Sequence, residues 1–597
     1  MNIHKRETLP RAARIGLVIV MVCSLFAAFP ATPVHAESYV LVVGPDEQYS
    51  TIQAAVNNAR PNTVIHVKAG TYDGSVDLSI MGFLLSTGTR TGNLAIVSID
   101  GPGEAVLNGG YDITLSDKGA GFDGSLWLDG MTLSSNYDSI ISLQSFKNLM
   151  LTNCTITASG DSSNLDSHVI SLKATSGVHT VAIKESTFNN FARDGINVAA
   201  SGSARVDVVV EDSIFKAENA IYSPQKAIAI SAIDTSTAQL TAFNNDITGM
   251  FNSAISVVAN SASKVNLSVH VYKNRLTNVA RSAGKSAIEV KTAGTGAHDV
   301  EARIVSNEKI DVPTNSKGIL LEPGGSGTFT GVMRWNTIDG GGIVVDSGTS
   351  QNAATTGKFK MDTNLIRNTY KSSAIDMHLR TNQTVAWFGL ISNNILSSIV
   401  PPDDQGLETM HFKVERLGGS PSYTMNLSGS QGNGNIKVEN NNTGGIFNVI
   451  GEEASASAQI SRNNPGYVPY VYGTVSVTPN FTALIHENTR PVTNPDRLIT
   501  WKNMPRSRDV VDNDVDTNGK ILTFANPLGK NGGSFYIDTL DTPDFQQDDL
   551  LVYQPQKGYL DVDSSYYVMQ DNMGCMSIGK VDTFVTKTPV FLPAVRK

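Results

Sequence analysis

The chain of 597 residues is 40% hydrophobic, 17% charged and 7% aromatic, and its formal net charge at pH 7 is −9. So low a charged fraction, with ample Val, Ile, Ala and Thr, argues against a disordered protein and against a long coiled coil. Because no run of Lys and Arg is long enough to follow a phosphate backbone, we expect no nucleic-acid partner.

The amino terminus has the features of a secretory signal peptide over residues 1–36. A basic segment precedes an apolar run, residues 15–29, which is shorter than the ~20 residues of a membrane span. Small residues in Val34-His35-Ala36 predict cleavage after Ala36, with an uncleaved anchor as the alternative. Cleavage would remove four basic residues and one acidic residue, changing the net charge from −9 to −12. We therefore expect a secreted or extracellular surface protein with no membrane span after cleavage.

A short amphipathic helix is predicted near the start of the mature chain. Ser50 is placed to cap its first turn with Gln53 three residues later, and Pro61 would end it. Its apolar residues recur at helical spacing and are Ile52, Ala55, Val56 and Ala59. We expect this helix to cover the open end of the stacked structure that the following repeats predict.

A motif of Gly or Ala, then Ile, then any residue, then an aliphatic residue recurs about every 30 residues through the middle of the chain. Its isoleucines are Ile196, Ile228, Ile255, Ile288, Ile319, Ile343 and Ile375. A repeat of this length that alternates apolar and polar residues is typical of a solenoid in which each turn adds one short strand to each sheet. We expect these isoleucines to form one buried column.

A second apolar series runs in phase with the first, at Ile156, Phe188, Ile214, Ile247, Leu276, Ile310, Ile338, Ile366 and Ile395. In most turns an Asn or Asp stands two residues before the apolar residue, namely Asp212, Asn245, Asn274, Asn336, Asn364 and Asn393. In the other three turns that position holds Cys154, Ser186 and Glu308. An Asn side chain tolerates tight turns and bonds to the Asn above and below it. The asparagines are therefore predicted to stack as a structural ladder and not to act in catalysis.

Together these patterns predict an all-β fold, a parallel β-helix solenoid over residues 37–485 followed by a small β-rich module or cap over 486–597. The stretch Thr51-Ile52-Gln53-Ala54-Ala55-Val56 through Ala69-Gly70-Thr71-Tyr72 resembles the cap and first turn of the pectin-lyase-like right-handed parallel β-helix superfamily. The resemblance covers roughly residues 38–480 and implies a right-handed solenoid with an amino-terminal helix cap. It carries little information on activity, because that superfamily includes lyases, glycosidases, epimerases, esterases and non-catalytic proteins. The motifs of its polygalacturonases, pectate lyases and mannuronan epimerases are absent.

Ionisable residues are concentrated at the predicted outward positions of four neighbouring turns, where earlier turns have small or neutral residues. They are Glu289, Lys291, Glu322, Asp346, Asp376, His378 and Arg380. Such a patch would extend ~14 Å, which is three strand spacings. In a β-elimination on a uronate, Lys291 would be the base, Arg380 would neutralise the carboxylate, and Glu322, Asp346 and Asp376 would hold calcium.

The same patch has two other interpretations. Glu322 and Asp346 would be the carboxylate pair of a glycosidase, or all seven residues would be an exposed charge ladder that keeps the solenoid soluble. Glu289 and His378 are expected to contact substrate in either enzyme.

One further segment, after the repeats fade, matches the first half of a calcium loop. Asp514, Asp516 and Asn518 stand at alternate positions before a glycine, and Ala525 occupies the twelfth position, where a bidentate acid belongs. The alternative is a polar turn.

The function expected from the sequence is that of a secreted or surface-exposed solenoid that binds polysaccharide or a cell-surface glycan. Lyase-like or glycosidase-like cleavage of that glycan is left open, and the alternative is a non-catalytic adhesive or structural solenoid. The cofactor expected, if any, is calcium.

Overall fold

The computed structural model describes residues 38–587 except 81–89, 111–112, 119–121, 137–138, 145, 159–167, 218–224, 348–353, 371–372, 382, 400–407, 417–421, 433–434, 441–445, 451–456, 458, 460–463, 465–467, 473–474, 479–484, 486–487, 517–518, 541 and 543–545. The predicted signal peptide and Asn518 lie outside the described residues. Within the described part, no helix combines the length and the apolar character needed to cross a membrane.

The structure contains one α-helix, α1 (Ile52–Asn58), and one 3-10 helix (Leu78–Ile80) among the elements with described bounds. The first strands are β1 (Tyr39–Val43), β2 (Thr63–Val67), β3 (Gly70–Asp73), β4 (Val76–Asp77), β5 (Arg90–Thr91), β6 (Leu94–Ser98), β7 (Ala105–Asn108), β8 (Leu115–Ser116), β9 (Phe122–Asp123), β10 (Ser125–Asp129), β11 (Met131–Ser135), β12 (Ile141–Leu143), β13 (Asn148–Thr152), β14 (Thr155–Ala158), β15 (Ile170–Ala174), β16 (Val178–Lys184), β17 (Thr187–Asn189) and β18 (Ile196–Ala200). The next are β19 (Arg205–Glu211), β20 (Ile214–Lys216), β21 (Ile228–Ala232), β22 (Thr237–Phe243), β23 (Asp246–Thr248), β24 (Ile255–Asn260), β25 (Asn266–Tyr272), β26 (Arg275–Thr277), β27 (Ser286–Ala293), β28 (Ala297–Val305), β29 (Lys309–Asp311), β30 (Lys317–Glu322), β31 (Ser326–Arg334), β32 (Thr337–Asp339), β33 (Ile343–Asp346), β34 (Ala354–Asp362), β35 (Leu365–Tyr370) and β36 (Ile375–Thr381). The last are β37 (Ala386–Ser392), β38 (Ile395–Ile399), β39 (Glu408–Arg416), β40 (Ser422–Ser428), β41 (Gln431–Gly432), β42 (Asn435–Asn440), β43 (Ile446–Ile450), β44 (Val468–Tyr472), β45 (Val475–Thr478), β46 (Asp496–Trp501), β47 (Arg506–Arg508), β48 (Ile521–Ala525), β49 (Ser534–Asp538), β50 (Leu550–Gln554), β51 (Asp561–Gln570) and β52 (Met576–Thr586).

Three long parallel sheets form the solenoid. The first has 16 strands in the order β1-β2-β6-β10-β13-β16-β19-β22-β25-β28-β31-β34-β37-β40-β43-β45. The second has 13 strands, β3-β7-β11-β14-β17-β20-β23-β26-β29-β32-β35-β38-β41, and the third has 14, β4-β8-β12-β15-β18-β21-β24-β27-β30-β33-β36-β39-β42-β44. Because the chain returns to the same sheet after visiting the other two, each repeat is one turn. The predicted all-β parallel solenoid is confirmed, while its handedness stays a prediction.

The predicted isoleucine column is confirmed in the third sheet. Ile196, Ile228, Ile255, Ile288, Ile319, Ile343 and Ile375 are register partners from strand to strand, and all are fully buried. The alternation of the motif therefore places the following residue of each turn on the outward side of the sheet, where Ala229, Ser256 and Leu320 are nevertheless buried.

The second apolar series is correct except at two positions. In the second sheet Phe215 is the register partner of both Phe188 and Ile247, and Leu396 is the register partner of Ile366. The prediction that Ile214 and Ile395 belong to this apolar column is therefore wrong, and Ile395 is 52% exposed. Both errors arise where two apolar residues are adjacent, because either one satisfies the spacing.

The asparagine ladder exists, with a partly different membership: Asn245, Asn274, Asn307, Asn336, Asn364 and Asn394. Each backbone N–H and side-chain amide donates to the Oδ1 of the next member, as from Asn336 to Asn364 at 3.1 and 3.0 Å. Toward the amino terminus the ladder continues through Ser213 and Ser186.

The predictions of Asp212, Glu308 and Asn393 as ladder members were wrong by one residue each. The residue just before each ladder position turns the corner with a positive φ, for example 51° at Asp212 and 56° at Asn393. Asp and Asn are among the residues that best tolerate this conformation. Asp212 and Asn393 therefore occupy the corner, and the next residue, Ser213 or Asn394, takes the buried position. Glu308 differs, because it follows the ladder residue Asn307, whose corner is Ser306 with a φ of 56°.

Helix α1 begins one residue later than predicted. The hydroxyl of Thr51, rather than that of Ser50, caps it by accepting the Ala54 N–H at 3.1 Å. Ile52, Ala55 and Val56 are buried in the same core as the solenoid strands. That the helix acts as a cap stays a prediction.

The strands β46–β52, here called the C-terminal module, form a four-stranded sheet, β46-β52-β51-β48, and a three-stranded sheet, β47-β50-β49. The module contacts the outward side of the first sheet, over its early and middle strands. One apolar cluster contains Val64, Ala95, Val97, Trp127, Met150, Ala182 and Val209 of the solenoid and Phe524, Leu528, Tyr566, Val568, Met576 and Ile578 of the module. Polar contacts add to it: Lys530 Nζ lies 2.9 Å from Asp129, and Arg490 binds Glu211.

Candidate functional site

All seven predicted site residues lie on the third sheet and point away from the core. Glu289 and Lys291 are on β27, Glu322 on β30, Asp346 on β33, and Asp376, His378 and Arg380 on β36. Each is half-buried and alternates with a buried residue. We call these seven residues the charged face. The strand register thus brings them to one surface, as the sequence predicts.

Ion pairs between neighbouring strands join the charged face. Lys291 and Glu322 are register partners, and their Nζ and Oε1 atoms are 2.6 Å apart. The Arg380 Nη2 donates to both carboxylate oxygens of Asp346 at 2.8 Å. Each cation is therefore already bound to a carboxylate, while all four side chains keep between 24% and 33% of their surface exposed.

The face extends one strand beyond the predicted set. On β39, His411, Lys413 and Glu415 are register partners of Asp376, His378 and Arg380. His411 Nδ1 lies 3.2 Å from Asp376 Oδ1, and His378 Nε2 lies 3.1 Å from Glu415 Oε2. The repeat motif does not identify these residues, because Thr409-Met410 replaces Gly/Ala-Ile in this turn. The alternation of Met410, Phe412 and Val414 was the signal that would have found them.

The charges are not continuous along the face. The column that contains Glu289 passes through Leu320 and Val344 before it reaches Asp376. Two aliphatic side chains therefore separate the first acidic group from the last in this column. Such a strip offers both polar contacts and apolar surface to a bound molecule.

The electrostatic setting of His378 favours its neutral form. Burial lowers the pKa of this imidazole below its ordinary value of 6.5, and the positive charge of Arg380 lowers it further. At neutral pH His378 therefore acts as an uncharged hydrogen-bonding group toward Glu415.

The two ion pairs bear on the roles that the sequence predicts for Lys291 and Arg380 in β-elimination. A lysine base must reach the substrate proton, whereas the Nζ of Lys291 is held 2.6 Å from the Oε1 of Glu322. Likewise, Arg380 would have to leave Asp346 before it neutralised a substrate carboxylate. Each of the two cations would thus have to leave its carboxylate partner before it took part in β-elimination.

The predicted calcium ligands Asp514 and Asp516 do not form an open acidic loop. The Asp514 carboxylate is buried, where it accepts the Asn494 N–H at 2.7 Å and lies 3.1 Å from the Tyr567 hydroxyl. Asp516 is half-buried beyond the exposed Val515, and Asn518 lies outside the described residues. Among the described residues, no group of three His, Cys, Asp or Glu side chains has a geometry that would hold a metal ion.

Tyr567 instead joins two buried carboxyl groups. Its hydroxyl lies 2.8 Å from Asp496 Oδ2 and 3.1 Å from Asp514 Oδ2. A hydroxyl has one proton and so donates to one carboxylate at a time. Burial raises the pKa of both acids, that of Asp496 to about 6.

The two tryptophans of the later turns differ in exposure. Trp387 is buried and donates its indole N–H to the Thr355 carbonyl at 3.1 Å. Trp335 is 50% exposed at a corner with a φ of 53°, and the Arg334 guanidinium lies 4.1 Å above its ring.

No protein-family model, curated protein or solved structure matches this chain.

Proposed function

We propose that this protein is a secreted β-solenoid that binds polysaccharide along the charged face. The observation that carries the proposal is the register, which places ten ionisable side chains of five consecutive strands on one outward surface. These strands lie ~4.8 Å apart, so the face presents hydrogen-bonding groups over a length suited to several sugar units.

The resemblance to the pectin-lyase-like superfamily supports the fold part of this proposal and not the choice of ligand. The parallel register, the buried isoleucine column and the asparagine ladder are the features that the resemblance implies. We include right-handedness, the helix cap and export by residues 1–36 in this proposal.

Binding without cleavage is the form of the function that the geometry favours. Lys291 and Arg380 are the groups that β-elimination would need, and both are held by carboxylates of the face. Of the two functions, the proposal therefore favours a non-catalytic adhesive or structural solenoid that binds glycans over a lyase.

The test measures binding to polyuronates and neutral polysaccharides by calorimetry, with calcium or with a chelator. The charged-face variant Lys291→Ala with Arg380→Ala should bind polyuronates at least ~10-fold more weakly, since hydrogen bonds to charged groups contribute ~1.5–3 kcal/mol each. The matched control is Lys309→Ala with Arg367→Ala, because these residues form similar exposed ion pairs, with Asp311 and Asp339, on the second sheet.

Unchanged affinity of the control is expected. Absence of binding to every polyuronate, or equal losses of polyuronate binding in both double variants, would refute the proposal. Ultraviolet absorbance of an unsaturated product and a reducing-sugar assay monitor cleavage in the same samples. An unsaturated product that disappears in Lys291→Ala would show a lyase and refute binding without cleavage.

A further inference from the structure

A groove of about 720 Å³ lies between the first sheet and the C-terminal module, away from the charged face. Its floor consists of outward residues on β22, β25, β28 and β31, and its wall includes the loop of residues 571–574 between β51 and β52. Two parts of the chain that are distant in sequence thus build one depression.

The wall is fixed to the floor by hydrogen bonds. The Met573 carbonyl accepts the Ser268 hydroxyl at 3.2 Å and lies 3.1 Å from His270 Nε2. The Asp571 carboxylate holds the loop by accepting the Met573 and Cys575 N–H groups at 2.8 and 2.9 Å. At Gly574, with a φ of 84°, an added Cβ would come within 2.9 Å of the Ser268 hydroxyl oxygen. The groove is therefore formed before any ligand arrives.

The floor presents two rows of polar side chains in register. One row is Thr237, Asn266, Asp299 and Thr328, and the other is Gln239, Ser268, Glu301 and Thr330. Within a row, neighbouring side chains repeat at the strand spacing of ~4.8 Å. Each row contains one carboxylate, one amide and two hydroxyls, so each row offers both donors and acceptors.

The charges along this floor neutralise each other. Arg205 donates through Nε to both oxygens of Asp207, at 3.0 and 3.1 Å, and through Nη2 to Gln239 and Gln570, each at 3.2 Å. Asp299 pairs with Lys264 at 2.6 Å, and Glu301 pairs with Arg303. Because the floor carboxylates Asp299 and Glu301 each already have a cation beside them, the floor attracts an ionic ligand less than it suits an uncharged polar one.

From this we infer that the groove binds a neutral oligosaccharide, which contacts the solenoid floor and the 571–574 loop at once. An uncharged chain rich in hydroxyl groups matches rows of Thr, Ser, Asn and Gln side chains. An extended peptide is a poorer match, because the floor is the face of a sheet and offers no unpaired strand edge for backbone hydrogen bonds. The site is separate from the charged face and does not depend on it.

The experiment is calorimetric titration of the purified protein with cellohexaose, xylohexaose, mannohexaose, maltohexaose and chitohexaose. We expect at least one to bind, and we expect Asn266→Ala with Thr328→Ala to weaken that binding about tenfold through the loss of two hydrogen bonds. Thr356→Ala is the matched control, because Thr356 is the register partner of Thr328 on β34 but lies outside the groove lining. The control should bind like the unaltered protein.

A second readout locates the ligand. Hydrogen exchange of residues 571–574 should slow in the presence of the bound hexasaccharide, and the charged-face variant Lys291→Ala with Arg380→Ala should show the same slowing. Failure of all five sugars to bind, full affinity in Asn266→Ala with Thr328→Ala, or binding lost in the charged-face variant would overturn the inference. Binding of an uncharged peptide such as polyasparagine in place of every sugar would also overturn it.

Discussion

Replacing one member of the asparagine ladder tests the structural role of the whole column. Asn336 is buried, and its side chain makes four hydrogen bonds. It donates to the Ile304 carbonyl at 2.7 Å and to Asn364 Oδ1 at 3.0 Å. Its Oδ1 accepts the Asn307 N–H at 3.2 Å and the Asn307 side-chain amide at 2.8 Å.

The loss expected for Asn336→Ala follows from the groups it would strand. Asn364 Oδ1 keeps the Asn336 N–H, and the Asn307 side-chain amide keeps the Val271 carbonyl at 3.1 Å. The Ile304 carbonyl and the Asn307 N–H lose the partner that the Asn336 side chain provides. Since a buried unsatisfied group costs ~1–3 kcal/mol, we expect the free energy of unfolding to fall by about 2–6 kcal/mol.

The assay is urea denaturation followed by circular dichroism, with hydrogen exchange of residues 300–310 to locate the effect. Exchange in this segment should accelerate most at the Asn307 amide. Thr337→Ala, at a half-buried position in the next strand, is the control, with an expected change below ~0.5 kcal/mol. If Asn336→Ala changed stability no more than the control does, the ladder would not stabilise the fold.

Three further perturbations test other parts of the structure. Ile288→Ala should lower the free energy of unfolding by about 2–5 kcal/mol, from lost burial and a cavity, and a loss under ~0.5 kcal/mol in urea denaturation would contradict the buried column. Asp496 has a folded pKa of about 6, above the ordinary 3.8, so its contribution to stability is largest at acid pH and falls as pH rises from about 4 to about 6. Asp496→Asn should make the free energy of unfolding depend less on pH in this range, and it should stabilise the protein at neutral pH by ~1–3 kcal/mol, allowing for screening near Arg508. Denaturation midpoints that change with pH as steeply in this variant as in the unaltered protein would refute the prediction. Trp335→Asn should raise the thermal midpoint, because Asn tolerates a positive φ better than Trp does, and a lower midpoint would show that the indole stabilises its corner.

The sequence predicted the interior of the solenoid well, because a buried position in a parallel stack allows few residue types. The isoleucine near the start of each third-sheet strand repeats without interruption from Ile196 to Ile375. Predictions failed where two adjacent residues had the same character, as at Asn393-Asn394, since the corner conformation alone decides which one is buried.

The charged face was predicted only as far as the repeat motif extended. The alternation identified Lys291 and Glu322 as outward residues, and the register then made them partners. Whether a cation is paired or free depends on side-chain geometry, which the pattern does not contain. The groove was beyond prediction altogether, because it exists only where the 571–574 loop meets strands that lie about 300 residues earlier, as in the bond from Ser268 to Met573.

The position of the C-terminal module determines when, during synthesis, the apolar outer side chains of the first sheet become shielded from solvent. Its apolar residues cover Trp127, Met150 and Val209, which belong to turns made far earlier in synthesis. Until the last strands exist, these side chains form an uncovered apolar stripe on the outside of a growing stack. A chain that ends before β51 and β52 would keep that stripe exposed for its lifetime, and self-association is the usual result of such a surface. Premature termination even late in the chain would therefore harm the first half of the molecule as well as the missing end.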